Sequence, residues 1–382
     1  MRIKTLLIAS LLNVLFLEIA SFFVLIFGLV PDLYSQRGIT APKHIYNQGI
    51  KWRTEEQDWG GWHRKNFKDK HTKSCFNVEY ESNNFGARDS VDYHKDFPNN
   101  SIIALGDSFI EGYGLNHNDT FSFNLEKISG RKVYNLGTAL NTGPLQYYLI
   151  YKNFAKLLNH DTVVIGFLPA NDFYDNDIDT VRYKDKKVSI DPKRRRPYYD
   201  TTNSKDNYPI LYPNNSKKRS KLGRYGIKNL IAGQSIRINL VRLYKNIILI
   251  KNFKVSETIP SYYDSWSIEQ QDAALHYIKK LYYESRKNKV KKFIVLGIPN
   301  QNDFSKPQIL NNNRIIPRWE KLFIDFQKEN QGFIFVDGFK IDKSFLNEDD
   351  KKNISNYLFL KCDGHWTKEA SKVYSNLINS YF

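Results

Sequence analysis

The sequence has little of what metal and redox centres are made from. Of its 382 residues two are cysteines, Cys75 and Cys362, one is methionine and eight are scattered histidines. There is no C-x-x-C pair, no H-E-x-x-H and no calcium-loop spacing. Zinc and calcium sites need clustered donors at short, fixed intervals, so no metal and no cofactor is expected. Two cysteines allow one intramolecular bridge, which persists only in an oxidising compartment; the count alone leaves open whether they bond. No internal repeat is present. Acidic residues are outnumbered, 40 against 57 Lys plus Arg, for a net charge of +17. Hydrophobic residues make up 41% of the chain, ample for a packed core and too many for a globally disordered protein. The length fits one large domain with attachments, or two domains.

Charge is nearly missing from the N-terminus. Thr5 to Val30, "TLLIASLLNVLFLEIASFFVLIFGLV", is 26 residues long with one ionisable side chain, Glu18. About 20 apolar residues span a bilayer, whereas a cleavable signal peptide has a shorter apolar region ending in a small-residue site. An uncleaved signal anchor over residues 1–30 is therefore expected. Arg2 and Lys4 precede it, which by the positive-inside rule places the remainder outside the cytoplasm, in the periplasm, on a single-pass protein of the plasma or inner membrane. Glu18 would be costly against lipid, so it is expected protonated or turned toward a partner helix.

The excess positive charge is also localised. Residues 178–262, an 85-residue stretch, hold 20 Lys plus Arg and 6 Asp plus Glu, a net of +14. They include "PKRRRP" and "SKKRSK". A charge run is most often a solvated face. Nucleic-acid binding would need a recognisable module, and an exported, anchored chain makes it a poor fit. Anionic lipid headgroups beside the anchor or an acidic glycan are the partners such a segment suits.

Residues 31–98 are polar, aromatic and turn-rich and read as a stem. From Ser101 the pattern alternates. Apolar runs at Ile102–Leu105, Lys132–Leu136, Thr162–Leu168, Lys292–Ile298 and Gly332–Val336 read as strands. Thr120–Gly130, Pro144–Leu158, Ile268–Arg286, Trp319–Glu329 and Lys368–Ser380 read as helices. Short, wholly apolar strands separated by helices imply a parallel sheet covered on both faces. The predicted domain comprises residues 99–177 and 263–382, interrupted by the basic insertion at 178–262. Ligands of such sheets bind at the carboxyl ends of the strands.

What stands at those ends is chemically coherent. The first strand ends on Gly106-Asp107-Ser108, the second on Asn135-Leu136-Gly137 and the third on "PANDF", with Asn171. Asp363 and His365 lie in "CDGHWT", just ahead of the last helix. A serine hydroxyl is a poor nucleophile until a base takes its proton. A histidine can do so when a carboxylate fixes its tautomer. Backbone amides and an Asn side chain are suitable donors for a developing oxyanion. Taken singly each residue has an ordinary explanation: Ser108 in a turn, Asp107 holding that turn through nearby amides, Gly137 for its backbone angles, Asn171 as a loop residue, and His365 as a surface residue before a helix capped by Thr367.

Together the four blocks resemble the SGNH hydrolase superfamily, the GDSL-type esterases. The resemblance covers roughly residues 80–177 and 265–382. It takes in "NNFGARD" (Asn83 to Asp89), which looks like the Asn-x-x-Gly-x-Arg stretch of membrane-anchored members. It implies a three-layer α/β/α, flavodoxin-like fold. It further implies Ser108 as nucleophile, His365 as base, Asp363 as its orienting carboxylate, and an oxyanion hole of the Ser108 and Gly137 amides with the Asn171 side chain. Many members place the Asp three residues before the His. Here Cys362 holds that position and Asp363 is two before. The D-x-H-W form resembles that of branches that look like polysaccharide O-acetyltransferases and related proteins, which points to acylation chemistry on cell-surface glycans. The expected function is thus an extracytoplasmic esterase on O-acylated, above all O-acetylated, cell-surface carbohydrate. The alternatives are a polysaccharide O-acetyltransferase, which would need a separate donor protein, and a silent glycan-binding or assembly protein.

Overall fold

The computed structural model describes residues 2–26, 53–56, 58–73, 75–139, 142–176, 196–199, 208–211, 261–263, 266–305, 314–342, 354–361 and 363–382, with positions 236, 240, 243 and 244. The chain divides into two units. One is Met1–Gln48 with Asn214–Glu257, and the other is Gly49–Pro213 with Thr258–Phe382.

In the first unit, helix α1 covers Arg2–Ile26. Its 25 residues extend about 37 Å at 1.5 Å each, and Leu11, Leu12, Phe16 and Leu17 are exposed along it. The side chains described within it run only from Thr5 to Ser21; among the described residues no helix is long and apolar enough to cross a membrane. The expected anchor therefore rests on the sequence. Glu18 does turn toward another segment: its carboxylate accepts the Ile236 N–H at 3.2 Å. Most of the basic insertion lies outside the described residues.

The second unit is built on strands, of which those of its main sheet are rich in β-branched and aromatic residues. The strands are β1 (Arg53–Glu56), β2 (Gly60–His63), β3 (Phe67–Lys73), β4 (Phe76–Ser82), β5 (Ile102–Leu105), β6 (Val133–Asn135), β7 (Thr162–Phe167), β8 (Tyr198–Tyr199), β9 (Ile210–Leu211), β10 (Lys292–Gly297) and β11 (Phe333–Asp337). Five of these make one sheet in the order β6–β5–β7–β10–β11, all parallel. In their own sequence order that is 2-1-3-4-5, the doubly wound arrangement whose crevice opens where the order reverses, between β5 and β7. The register sets Ile102 beside both Val133 and Thr162, so the β5 and β7 tips finish side by side.

The other helices are α2 (Ser108–Glu111), α3 (Phe121–Ser129), α4 (Pro144–Phe154), α5 (Pro169–Asp172), α6 (Ile268–Lys287), α7 (Arg318–Glu329), α8 (Ile354–Leu358) and α9 (Lys368–Asn379). Strand side chains alternate between faces, and the core divides accordingly. Ile103, Leu105, Val163, Ile165, Val295 and Phe335 pack with residues of α4, α6 and α7, including Tyr277 and Phe323. Ile102, Ala104, Val164, Ile294, Leu296 and Val336 pack with α3 and α9, including Leu125, Val373 and Tyr374. Both faces are covered, giving the three layers that the wholly apolar strands predict. Thr120 and Thr367 cap α3 and α9, accepting the Phe123 and Ala370 amides at 3.3 and 3.1 Å.

The stretch read as a stem does not stand off from the sheet. Residues 49–98 belong to the same unit. They supply antiparallel pairs β1–β2 and β3–β4 and the buried side chains Trp62, Tyr80 and Tyr93. The Tyr93 hydroxyl accepts the Asn135 N–H at 2.8 Å, satisfying an outward amide of edge strand β6 that would otherwise invite foreign pairing. The polar turns of this stretch hid β4, whose alternation "FNVEYES" buries every second residue. Ile103→Ala, at a fully buried position of β5, is expected to destabilise the second unit by about 2–5 kcal/mol, read as a lower urea midpoint.

Candidate active site

β5 runs into a one-turn helix. Asp107 caps it, its Oδ1 accepting the Phe109 N–H at 2.9 Å, and Gly112 closes it in the left-handed region at φ +80°. Ser108 is the first helical residue and is half-buried. Among the described residues no acceptor takes its backbone N–H. That amide stands at a helix start, where partial positive charge accumulates.

His365 arrives from the opposite end of the sequence. Leu360 N–H donates to the His365 carbonyl at 2.7 Å, Phe359 bridges Trp366, and Gly364 turns at φ +78°. Trp366 is buried, stacked on Tyr374 of α9 with centroids 4.5 Å apart. So anchored, the imidazole brings Nε2 to 2.7 Å from Ser108 Oγ, while Nδ1 hydrogen-bonds the Asp363 carboxylate. A carboxylate only accepts, so Nδ1 carries the proton and the Nε2 lone pair faces the hydroxyl. Phe109 and Tyr113 flank the ring at centroid distances of 5.1 and 4.6 Å. Tyr113 and Leu360 in turn pack on Phe76 and Val78 of β4. Cys75, in the turn before β4, is disulfide-bonded. The sequence holds one other cysteine, Cys362, which lies outside the described residues.

The expected oxyanion donors have more particular surroundings. Asn171, on α5 just past β7, donates one Nδ2 hydrogen to Asp107 Oδ2 at 3.2 Å. The amide nitrogen has a second hydrogen to offer. The Gly137 N–H points to the Asn135 Oδ1, 3.1 Å away, so this amide is already engaged. Gly137 is nevertheless confined to glycine, because a Cβ there would lie 2.4 Å from the Glu111 backbone nitrogen. The structure thus joins Ser108, His365 and Asp363 in one hydrogen-bonded chain and ties Asn171 to it through Asp107. Gly137 sits against α2, with its hydrogen on Asn135.

Several residues around this chain have no role assigned from the sequence. Phe109 and Tyr113 are legible afterwards in "SFIEGYG" as rings one and five positions past the serine. Arg88, within "NNFGARD", is buried, its guanidinium 3.7 Å above the Tyr80 ring. It donates to the carbonyls of Glu111 and Gly112 at 3.1 and 2.7 Å, clamping the end of the nucleophile's helix. Asn83 accepts the Phe85 and Ala87 amides at 3.0 and 3.1 Å. Gly86 takes φ +76° where a Cβ would meet the His63 carbonyl at 2.6 Å. The Asn-x-x-Gly-x-Arg spacing is therefore a turn that delivers a guanidinium to α2.

Two carboxyls behind the site are pushed above their ordinary values. Burial raises Asp107, opposed by the Phe109 N–H, His365 and Asn171. Burial, with the Asp107 charge, raises Asp172 much further, opposed by its bonds from Tyr147 and Leu168. A raised carboxyl contributes stability that is whole below the unfolded value of 3.8 and is lost as pH climbs toward the folded one. Asp172→Asn can keep both contacts, 2.8 Å long, without the charge: its oxygen accepts the Leu168 N–H and its NH2 donates to the Tyr147 hydroxyl, whose own hydrogen then goes to the Thr142 carbonyl. It should raise Tm near neutral pH and leave it unchanged below about pH 3.8; thermal melts across pH check this.

No family model matches the chain, and neither does any curated protein. Among solved structures it is similar to a proposed lipolytic protein of the G-D-S-L family from Desulfitobacterium hafniense DCB-2. The two share 12% identity at a TM-score of 0.36, over 74% of this chain and 99% of that one. So distant a likeness leaves the chemistry of Ser108 and His365 to be read from their own geometry.

Proposed function

We propose that the protein is an SGNH-type serine esterase. The observation that carries this reading is the 2.7 Å contact of His365 Nε2 with Ser108 Oγ, at the carboxyl edge of a doubly wound sheet. In the proposed reaction Oγ attacks an ester carbonyl carbon while its proton passes to Nε2. Asp363, on the Nδ1 side, stabilises the imidazolium so formed. The carbonyl oxygen becomes an oxyanion, held by the Ser108 amide and the second Nδ2 hydrogen of Asn171. Gly137 joins them once its N–H is shared between Asn135 and the oxyanion. Collapse breaks the bond to the alkoxide, which takes the proton from Nε2 and leaves as alcohol. Water then attacks the seryl ester, gives its proton to Nε2, and releases the acid as Oγ regains a hydrogen.

The substrate we propose is an O-acylated carbohydrate of the cell surface, the acyl group being small, as acetate is. Supporting this are the D-x-H-W spacing of Asp363, His365 and Trp366 and an N-terminal segment apolar enough to hold the domain at a membrane through residues 5–30. A disulfide at Cys75 fits an oxidising, extracytoplasmic compartment. The basic stretch 178–262 would sit near anionic lipid or an acidic glycan.

Wild-type protein should hydrolyse p-nitrophenyl acetate and be labelled by a fluorophosphonate. Ser108→Ala should abolish both, and Asn171→Ala should lower kcat about 10²–10³-fold. Equal labelling of wild type and Ser108→Ala would overturn the assignment. Release of acetate from an O-acetylated glycan, faster than transfer to an added oligosaccharide, tests the substrate and separates esterase from transferase.

A further inference from the structure

Glu111, the last residue of α2, is completely buried, one helical turn past the nucleophile. Its Oε2 accepts the Ala139 N–H, and its Oε1 lies 3.2 Å from His63 Nε2. His63, on β2, is as deeply buried, with Nδ1 2.8 Å from the Gly86 carbonyl. A carbonyl oxygen can only accept, so Nδ1 bears a hydrogen. Nε2 and Oε1 would then meet lone pair to lone pair unless a proton lies between them. One hydrogen between Nε2 and Oε1 joins the two side chains. The Tyr80 hydroxyl lies 3.4 Å from Nε2, and the Arg88 guanidinium donates to the Glu111 carbonyl.

A buried pair of this kind is weak evidence for stability, since apolar side chains of similar volume often do as well. Its placement is more specific. Ala139 lies two residues past Gly137, and Gly137 rests on the Ile110–Glu111 backbone. One carboxylate therefore fastens the helix that presents Ser108 to the loop that presents Gly137.

We infer that Glu111, backed by His63, is a positioning residue for the acyl transfer, setting the spacing between the Ser108 amide and the Gly137 loop. This rests on the seryl-esterase reading. Glu111 does not reach the reacting atoms and takes no part in proton transfer to substrate. Its function is that of a two-pronged acceptor and partner, and glutamine can reproduce it. The glutamine oxygen would accept from Ala139, and its NH2 would donate to the bare Nε2 of neutral His63.

The test compares full-length wild type, Glu111→Gln, Glu111→Asp and Glu111→Ala in p-nitrophenyl acetate hydrolysis and fluorophosphonate labelling, with thermal melts as a check on folding. Glu111→Gln should keep kcat within about threefold of wild type. Glu111→Asp, too short by one methylene to hold both partners, and Glu111→Ala should lose about 10²-fold, comparable to one oxyanion donor. KM should stay within about twofold in all, because the ground state is bound without the oxyanion contacts. A folded Glu111→Asp or Glu111→Ala with wild-type kcat overturns the inference. So does a folded Glu111→Gln as slow as Glu111→Ala, which would mean that the charge itself acts. Should wild type neither hydrolyse the ester nor label at Ser108, the seryl reading falls, and this one with it. Labelling that depends on Ser108 but is indifferent to Glu111 removes only the present inference.

Discussion

The carboxylate of Asp107 is the joint on which the site depends. One oxygen caps the helix that begins with the nucleophile and the other holds the Asn171 amide, so a single side chain links the tips of β5 and β7. These are the two strands between which the sheet order reverses, where connections leave in opposite directions and a crevice opens. A charge so enclosed is costly unless it is hydrogen-bonded. Each bond that lowers that cost also fixes a group needed for chemistry: the Phe109 amide sets the helix start, the Asn171 side chain an oxyanion donor.

From this joint outward the site is a set of nested supports. Arg88 and Glu111 hold the far end of α2, one from the backbone carbonyls and the other through its own side chain. Trp366 and Thr367 fix the base's loop to α9. The β3–β4 hairpin, through Phe76 and Val78, packs under Tyr113 and Leu360. Preorganisation of this sort is what an oxyanion site requires, because donors that must be reoriented during the reaction lose much of their advantage.

Much of this was legible in the sequence. The strands of the sheet are short and mostly apolar, and their helices begin after Thr120, Ser267 and Thr367, whose oxygens accept the third amide of each helix. The serine stands out because it follows an apolar strand, and the histidine and carboxylate because they sit in a short polar turn just ahead of the last helix. Glu111 and His63 escaped notice for the opposite reason, and Arg88, visible in its motif, carried no sign of what it would hold. Charged residues on short, mixed segments are ordinarily solvated, and only the folded chain shows that strands from residues 49–98 bury them. The engagement of Gly137 by Asn135 likewise follows from a two-residue turn that no motif encodes.

The aromatic walls around His365 have a mechanical consequence. Phe109 and Tyr113 belong to the same short segment as Ser108, so the imidazole is gripped by the very piece of chain that carries its hydroxyl partner. A small tilt of that segment carries the walls and the oxygen together. The alignment of Nε2 with Oγ is then insulated from breathing elsewhere in the fold, much as two gears on one plate stay meshed when the plate shifts.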